Sequence, residues 1–127
     1  MIKFLVVDDE PGVVDQVREL LELRNYAVVT ATSGEKALEL VKKENPNIVI
    51  LDIRMPGITG IDVLKEVKKS YLKTRVIMLT GVEDDATRQM AMSLGASGYL
   101  TKPYSYSELL DMSRKLISEI CQEEGIK

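Results

Sequence analysis

This 127-residue sequence has no tryptophan, no histidine, one phenylalanine and one cysteine. Because large aromatic rings are scarce, the core must be built from valine, isoleucine, leucine and methionine. Cys121 has no second cysteine with which to form an internal disulfide, and we expect it to be an inert thiol among the apolar residues of a late helix. The sparse cysteine content therefore excludes a small fold held together by disulfides.

Long apolar runs and basic blocks are also missing. No stretch approaches the roughly 18 apolar residues of a membrane span, and the N-terminus carries no secretory apolar segment. The net charge is −3, from 17 basic and 20 acidic residues. We therefore expect a cytoplasmic domain that contacts no membrane and makes no direct contact with nucleic acid.

The composition indicates one folded domain. Apolar residues make up 45% of the chain and charged residues 29%, a balance typical of globular proteins. Domains most often contain about 100–150 residues, so we expect residues 1–127 to form a single unit.

Five short apolar runs predict β-strands. They lie near residues 2–7, 27–31, 47–52, 75–80 and 98–101. The runs at 48–51 and 76–79 show no alternation of apolar and polar residues, so both of their faces should be buried in the centre of a parallel sheet. The run at 27–31 is less apolar and fits a strand nearer the edge.

Segments with helical periodicity lie between and after these runs. The predicted helices cover about 13–24, the residues after Ser33, 60–70, 84–93, and a last segment that begins near Ser107. The fourth has only a thin apolar face, consisting of Ala86, Met90 and Ala91. Alternating strands and helices with right-handed crossovers predict an α/β fold. We expect a flavodoxin-like (βα)5 domain, with a parallel five-stranded sheet of order 2-1-3-4-5 and helices on both faces.

Polar residues stand where the predicted strands end. Asp8 and Asp9 follow the first strand, Asp52 follows the third, Thr80 ends the fourth, and Lys102 follows the fifth. In this topology they share one edge of the sheet, where open α/β folds bind ligands. Clustered carboxylates need a proton, an ammonium group or a metal ion to offset their charge. Oxygen ligands without histidine or cysteine favour a hard cation, and Mg²⁺ suits a site that also receives a phosphate.

Each of these residues also has an ordinary structural interpretation. Asp8 and Asp9 precede Pro11 and Gly12, so a simple turn would account for them. Thr80 suits any strand because it is β-branched, although Gly81 beside it leaves room for an incoming group. Tyr99 is interpreted equally well as core filling and as a moving part of a switch.

Taken together, five segments resemble the receiver domain of two-component response regulators over essentially the whole chain. The matching segments are Val6–Glu10, Leu51–Gly57 with Gly60, Thr80–Gly81, Gly95–Ala96 and Tyr99–Pro103. Singly they are weak signals, but their order and their positions at strand ends make the combination specific.

The resemblance implies a signalling switch rather than an enzyme. Asp52 would accept a phosphoryl group from a sensor histidine kinase or a histidine phosphotransfer protein. Mg²⁺ would be held by Asp8, Asp9, Asp52 and the main-chain carbonyl of Arg54. The residues expected to bind the phosphoryl group or to move with it are Thr80, Gly81, Lys102 and Tyr99. Those expected to shape the loops are Pro56, Gly57 and Pro103, the last after a cis peptide.

The resemblance also implies that phosphorylation alters the surface formed by the fourth helix, fifth strand and fifth helix. That surface would control an output domain or a downstream partner, and the same surface is where a homodimer would form. The sequence leaves open the cognate kinase and whether the domain stands alone or belongs to a longer regulator.

Three alternatives use the same fold differently. A phosphohydrolase with an aspartate nucleophile generally needs a second acid two residues later, where this chain has Arg54. A flavodoxin-like cofactor carrier would need a Ser/Thr/Gly-rich loop after the first strand. A binding module without phosphate chemistry would not need every chemical position to be filled.

Overall fold

The computed structural model describes residues 2–125 of the chain, so both ends of the predicted 1–127 unit lie outside the described residues. Strands and helices alternate along it. The strands are β1 (Lys3–Val7), β2 (Ala27–Ala31), β3 (Ile48–Leu51), β4 (Arg75–Thr80) and β5 (Gly98–Thr101). The helices are α1 (Pro11–Glu22), α2 (Gly34–Glu44), α3 (Gly60–Ser70), α4 (Asp85–Ser93) and α5 (Tyr106–Glu123).

All strands pair in parallel, in the order β2-β1-β3-β4-β5. The predicted fold class and strand order are thus confirmed. β3 and β4 are central, and the residues of β3 are all buried, whereas β2 is an edge strand that is mostly half-buried. The physical reason is that helices cover both faces of the sheet, so only an edge strand tolerates polar or exposed residues.

Successive residues of each strand point to opposite faces and so build two cores. Leu5 and Val7 pack with residues of α2, α3 and α4 on one face. Phe4 and Val6 pack with residues of α1 and α5 on the other. No helix among the described residues is long and apolar enough to cross a membrane.

Side-chain caps determine where several helices begin. Ser33 accepts a hydrogen bond from the Lys36 N–H at 3.2 Å, as expected for an N-cap. Ser105 and Glu108 form a reciprocal capping box, so α5 begins at Tyr106, one residue before the predicted start. Its cap lies in the loop that follows Lys102.

The predicted apolar face of α4 is only partly correct. Ala91 is fully buried, whereas Ala86 and Met90 are exposed. Because this nine-residue helix touches the core through Ala91, most of its surface is free to contact solvent. Met90 and Met92 are among the few large apolar side chains that are exposed.

Candidate functional site

The sheet register brings the predicted site residues to one edge. Val7 pairs with Leu51, and Thr80 pairs with Thr101. Asp8 and Asp52, which follow the first pair, therefore leave the sheet at the same level. Lys102 follows Thr101 two residues further along the same edge, because Leu51 pairs with Met78 and Met78 pairs with Tyr99. Asp8 is 3% exposed and Asp52 is 6% exposed, so both carboxylates lie in a buried environment.

Lys102 joins the two carboxylates. Its Nζ lies 2.7 Å from Asp8 Oδ2 and 3.3 Å from Asp52 Oδ2. One ammonium group thus neutralises two buried carboxylates only in part, and the pocket retains net negative charge. Such a pocket favours a cation and can bind an anion only when further positive charge is present.

The other oxygen of each carboxylate accepts a main-chain hydrogen bond. Asp8 Oδ1 accepts from the Glu10 N–H at 3.0 Å, and Asp52 Oδ1 accepts from the Arg54 N–H at 3.3 Å. Each aspartate therefore fixes the turn that follows its own strand. Both carboxylates are held in place from two directions.

The electrostatics of the pocket follow from burial. Burial raises the pKa of Asp8, and Asp52 adds to this effect, while the hydrogen bond from Lys102 opposes it. Burial alone would lower the pKa of Lys102, but the two aspartates outweigh burial and raise it. Lys102 is therefore charged at neutral pH, whereas ionised Asp8 is less favourable than it would be in water.

Within residues 2–125, the group of carboxylates suited to holding a metal ion comprises Asp8, Asp9 and Glu10. Each offers one oxygen, and these oxygens lie within 4.8 Å of one another. Carboxylate oxygens are the donors that Mg²⁺ prefers, so the residues fit that ion. Glu10 was not among the predicted ligands, although its place directly after Asp9 was a signal. Asp52 lies outside this group and connects to it through Lys102.

Thr80 and Tyr99 meet at one residue of the loop after β4. The Thr80 hydroxyl accepts a hydrogen bond from the Val82 N–H at 3.3 Å, and the Tyr99 hydroxyl donates one to the Val82 carbonyl at 2.7 Å. Thr80 is fully buried and Tyr99 is 4% exposed. Gly81 faces open space, since a Cβ there would have no neighbour within 4 Å.

The loop after β3 is shaped by small residues. Gly57 adopts a positive φ of 75°, a conformation that side-chain-bearing residues rarely take. Gly60 lies so close to the main chain that a Cβ there would overlap the carbonyl of Asp52. Pro56 and the exposed Arg54 line a shallow cleft together with Asp9. On the other side of the site, the Lys102–Pro103 peptide is cis.

Comparisons with known proteins all lead to the same family. A sequence model described as the response regulator receiver domain matches residues 4–114. The alkaline phosphatase synthesis transcriptional regulatory protein PhoP of Bacillus subtilis (strain 168) is 37% identical over 107 residues. That match covers 84% of this chain and 45% of PhoP, so the chain spans less than half the length of this curated relative.

Solved structures show the same similarity. A CheY-like response regulator receiver domain protein from Methanospirillum hungatei JF-1 has a TM-score of 0.93 at 26% identity, covering 97% of this chain and 98% of that one. A response regulator receiver domain protein from Clostridium thermocellum has a TM-score of 0.88 at 34% identity, covering 94% and 96% respectively.

Proposed function

The chain belongs to the response regulator receiver family, and on that premise we propose that Asp52 accepts a phosphoryl group from a phosphohistidine. A carboxylate oxygen of Asp52 attacks phosphorus, the P–N bond of the phosphohistidine breaks, and its electron pair returns to the imidazole. The product is an acyl phosphate. Water later attacks the phosphorus, which releases inorganic phosphate and restores the carboxylate. The observation that carries this proposal is the single ammonium of Lys102 shared by two buried carboxylates.

Lys102 reduces the repulsion between the Asp52 carboxylate and an incoming phosphoryl group, which are both negatively charged. Its Nζ already contacts Asp52 Oδ2, so it is placed to bind a phosphoryl oxygen once the group is transferred. Positioning and charge stabilisation are most of what phosphoryl transfer requires from a protein. Thr80, beside the open space at Gly81, supplies a hydroxyl for another phosphoryl oxygen.

Mg²⁺ is the cofactor that we propose for the acidic group. Asp8 and Asp9 would hold it, together with Asp52 and the main-chain carbonyl of Arg54. When bound, the ion offsets the negative charge that gathers as a phosphoryl group meets the carboxylates. The negative charge left in the pocket by Asp8, Asp52 and Lys102 supports this assignment.

The contacts of Val82 suggest how the signal leaves the site. The hydroxyls of Thr80 and Tyr99 both bond to Val82. When Thr80 moves toward a phosphoryl oxygen, the Tyr99 ring would turn into the space that Thr80 leaves, so Tyr99 points inward in the phosphorylated form. The surface of α4, β5 and α5 would then change its population of conformations. Pro56 and Gly57 would maintain the conformation of the loop after β3, and Pro103 that of the loop after β5.

The partners that we propose follow from this chemistry. A sensor histidine kinase or a histidine phosphotransfer protein would supply the phosphoryl group, in the cytoplasm. An output domain or a downstream partner would read the α4–β5–α5 surface, which would also serve a homodimer. Residues 1–127 would act as one receiver domain in this scheme, without direct nucleic acid binding.

Labelling with a small phosphodonor tests the proposal. Wild type incubated with acetyl phosphate and Mg²⁺ should gain one phosphoryl group by intact-protein mass spectrometry, and Asp52→Asn should gain none. Asp111→Asn, which changes an exposed acid on α5, is the matched control and should label like wild type. Labelling of Asp52→Asn at the wild-type level would show that the nucleophile is another residue.

A further inference from the structure

Arg88 of α4 lies over the ring of Tyr99. Its guanidinium carbon is 5.5 Å from the ring centroid. The ring is buried, and its hydroxyl donates to the Val82 carbonyl at 2.7 Å. Tyr99 therefore contacts the segment that follows β4 at two points. Its hydroxyl binds the loop at Val82, and its ring contacts Arg88 of α4.

Arg88 has no other strong electrostatic contact among the described residues. It is exposed, and it forms no salt bridge within 4.0 Å in residues 2–125. A guanidinium over an aromatic face is attracted by the negative charge of that face, and at exposed sites this shifts an equilibrium by about two- to fivefold. Arg88 also lowers the pKa of Tyr99, against burial and Asp84, which raise it.

We propose that Arg88 is a positioning residue that stabilises Tyr99 in its buried orientation and so favours the switched form of the domain. This inference rests on the proposed function, in which Tyr99 points inward when Asp52 is phosphorylated. Because binding and conformation are reciprocally linked, a residue that stabilises the inward orientation also strengthens the binding of a phosphoryl mimic. Arg88 therefore influences the phosphorylation site without touching it.

The experiment uses two substitutions at one exposed position. Arg88→Gln removes the positive charge with little change in size, and Arg88→Lys keeps it. Fluorine NMR of protein labelled with 3-fluorotyrosine reports the environment of Tyr99, whose signal is assigned by its loss in Tyr99→Phe. A titration with beryllofluoride and Mg²⁺ gives the apparent Kd for a phosphoryl mimic.

We expect Arg88→Gln to lower the ratio of buried to exposed Tyr99 about two- to fivefold and to raise the apparent beryllofluoride Kd by the same factor. Arg88→Lys should stay near wild type in both measurements. In a Tyr99→Leu background, Arg88→Gln should no longer change the Kd. An unchanged fluorine signal in Arg88→Gln, or an equal effect on the Kd without the tyrosine ring, would overturn the inference.

The two proposals fail in different ways. If wild type does not bind beryllofluoride, the proposed phosphorylation site is wrong, and the part of the inference that concerns the switched form falls with it. If wild type binds it while Arg88→Gln behaves like wild type, only the role of Arg88 is wrong. The fluorine signal without beryllofluoride measures the contact between Arg88 and Tyr99 independently of phosphate chemistry.

Discussion

The side chains around Lys102 carry more negative than positive charge, and two of the carboxylates are buried. Asp8 and Asp52 share one ammonium, while Asp9 and Glu10 add negative charge at the exposed rim. A buried carboxylate without a full partner lowers the stability of the folded state. The same imbalance would favour a cation in the pocket, so the proposed metal binding opposes the stability of the metal-free fold.

Neutralising Asp8 should therefore stabilise the metal-free protein. In Asp8→Asn the remaining Lys102–Asp52 pair is balanced, and we expect the Tm at pH 7 to rise by about 2–5 °C, the effect of about 1 kcal/mol in a domain of this size. Millimolar Mg²⁺ should raise the Tm of wild type but leave that of Asp8→Asn nearly unchanged. Differential scanning calorimetry measures both effects.

The pH dependence of this difference follows from the sign of the pKa shift. The pKa of Asp8 is raised in the folded state above 3.8, so the folded state binds more protons in that range. The contribution of Asp8 to stability is thus fully present below pH 3.8 and is lost as the pH rises through its folded pKa. The Tm difference between Asp8→Asn and wild type should shrink toward zero as the pH falls below 4. A constant difference from pH 7 to pH 3.5 would mean that charge is not its cause.

Among the elements, the start of α3 matters because it packs against the main chain that follows β3, where the proposed phosphoacceptor Asp52 lies. Gly60 is the first residue of that helix, and its N–H donates to the Ile53 carbonyl at 2.8 Å. The preceding Thr59 caps the helix in a reciprocal box with Asp62. The first residue of α3 therefore packs against the main chain of Asp52 and Ile53 and fixes its position.

Gly60→Ala should consequently displace Asp52 as well as destabilise the fold. A Cβ at this position overlaps the Asp52 carbonyl, and forcing an atom into a packed region costs about 1–3 kcal/mol. We expect a Tm several degrees lower and slower labelling by acetyl phosphate. Gly12→Ala, in α1, is the matched control because a Cβ there would meet nothing within 4 Å. The control should be neutral or slightly stabilising, since alanine favours a helix over glycine by about 1 kcal/mol. Equal Tm values for the two variants would contradict the role given to Gly60.

For the whole molecule, the strand order places β2 and β5 at opposite edges of the sheet, and we expect the two edges to respond differently to a change at the site. The site and Val82 connect to α4 and β5, whereas β2 lies at the far edge of the sheet. A change at the site should therefore travel through the β4–β5 side. β2 meets the site at the Ala31 carbonyl, which accepts from the Asp8 N–H at 3.3 Å, and within residues 2–125 no hydrogen bond joins β2 to Val82.

Beryllofluoride with Mg²⁺ should move amide resonances in this pattern. In two-dimensional NMR spectra of wild type we expect the largest shifts at Asp52, Thr80, Val82 and Tyr99, followed by α4 and α5. Amides of Val28 and Val29 in β2 should change little. Shifts confined to the residues that bound the site would show that binding does not reach the α4–β5–α5 surface, and shifts of equal size throughout would contradict a directed path.

The sequence was sufficient to predict the fold and to predict which residues lie at the carboxyl-terminal edge of the sheet. Alternating strand and helix patterns, buried central runs and the handedness of crossovers are local or nearly universal rules, and they predicted a parallel sheet covered by helices. The order 2-1-3-4-5 was expected because it is a common order for five strands, and it places Asp8, Asp52 and Lys102 at one edge. The start of α5 differed by one residue because a cap is decided by hydrogen bonds rather than by apolar spacing.

What required the folded structure was the set of contacts between side chains distant in the chain. The sharing of Lys102 between two aspartates, the grouping of Glu10 with Asp8 and Asp9, and the placement of Arg88 over Tyr99 all depend on rotamers and helix positions. The exposure of Met90 likewise depends on how α4 sits on the sheet. Periodicity reports which residues prefer burial, but packing of the whole domain determines which of them find a partner.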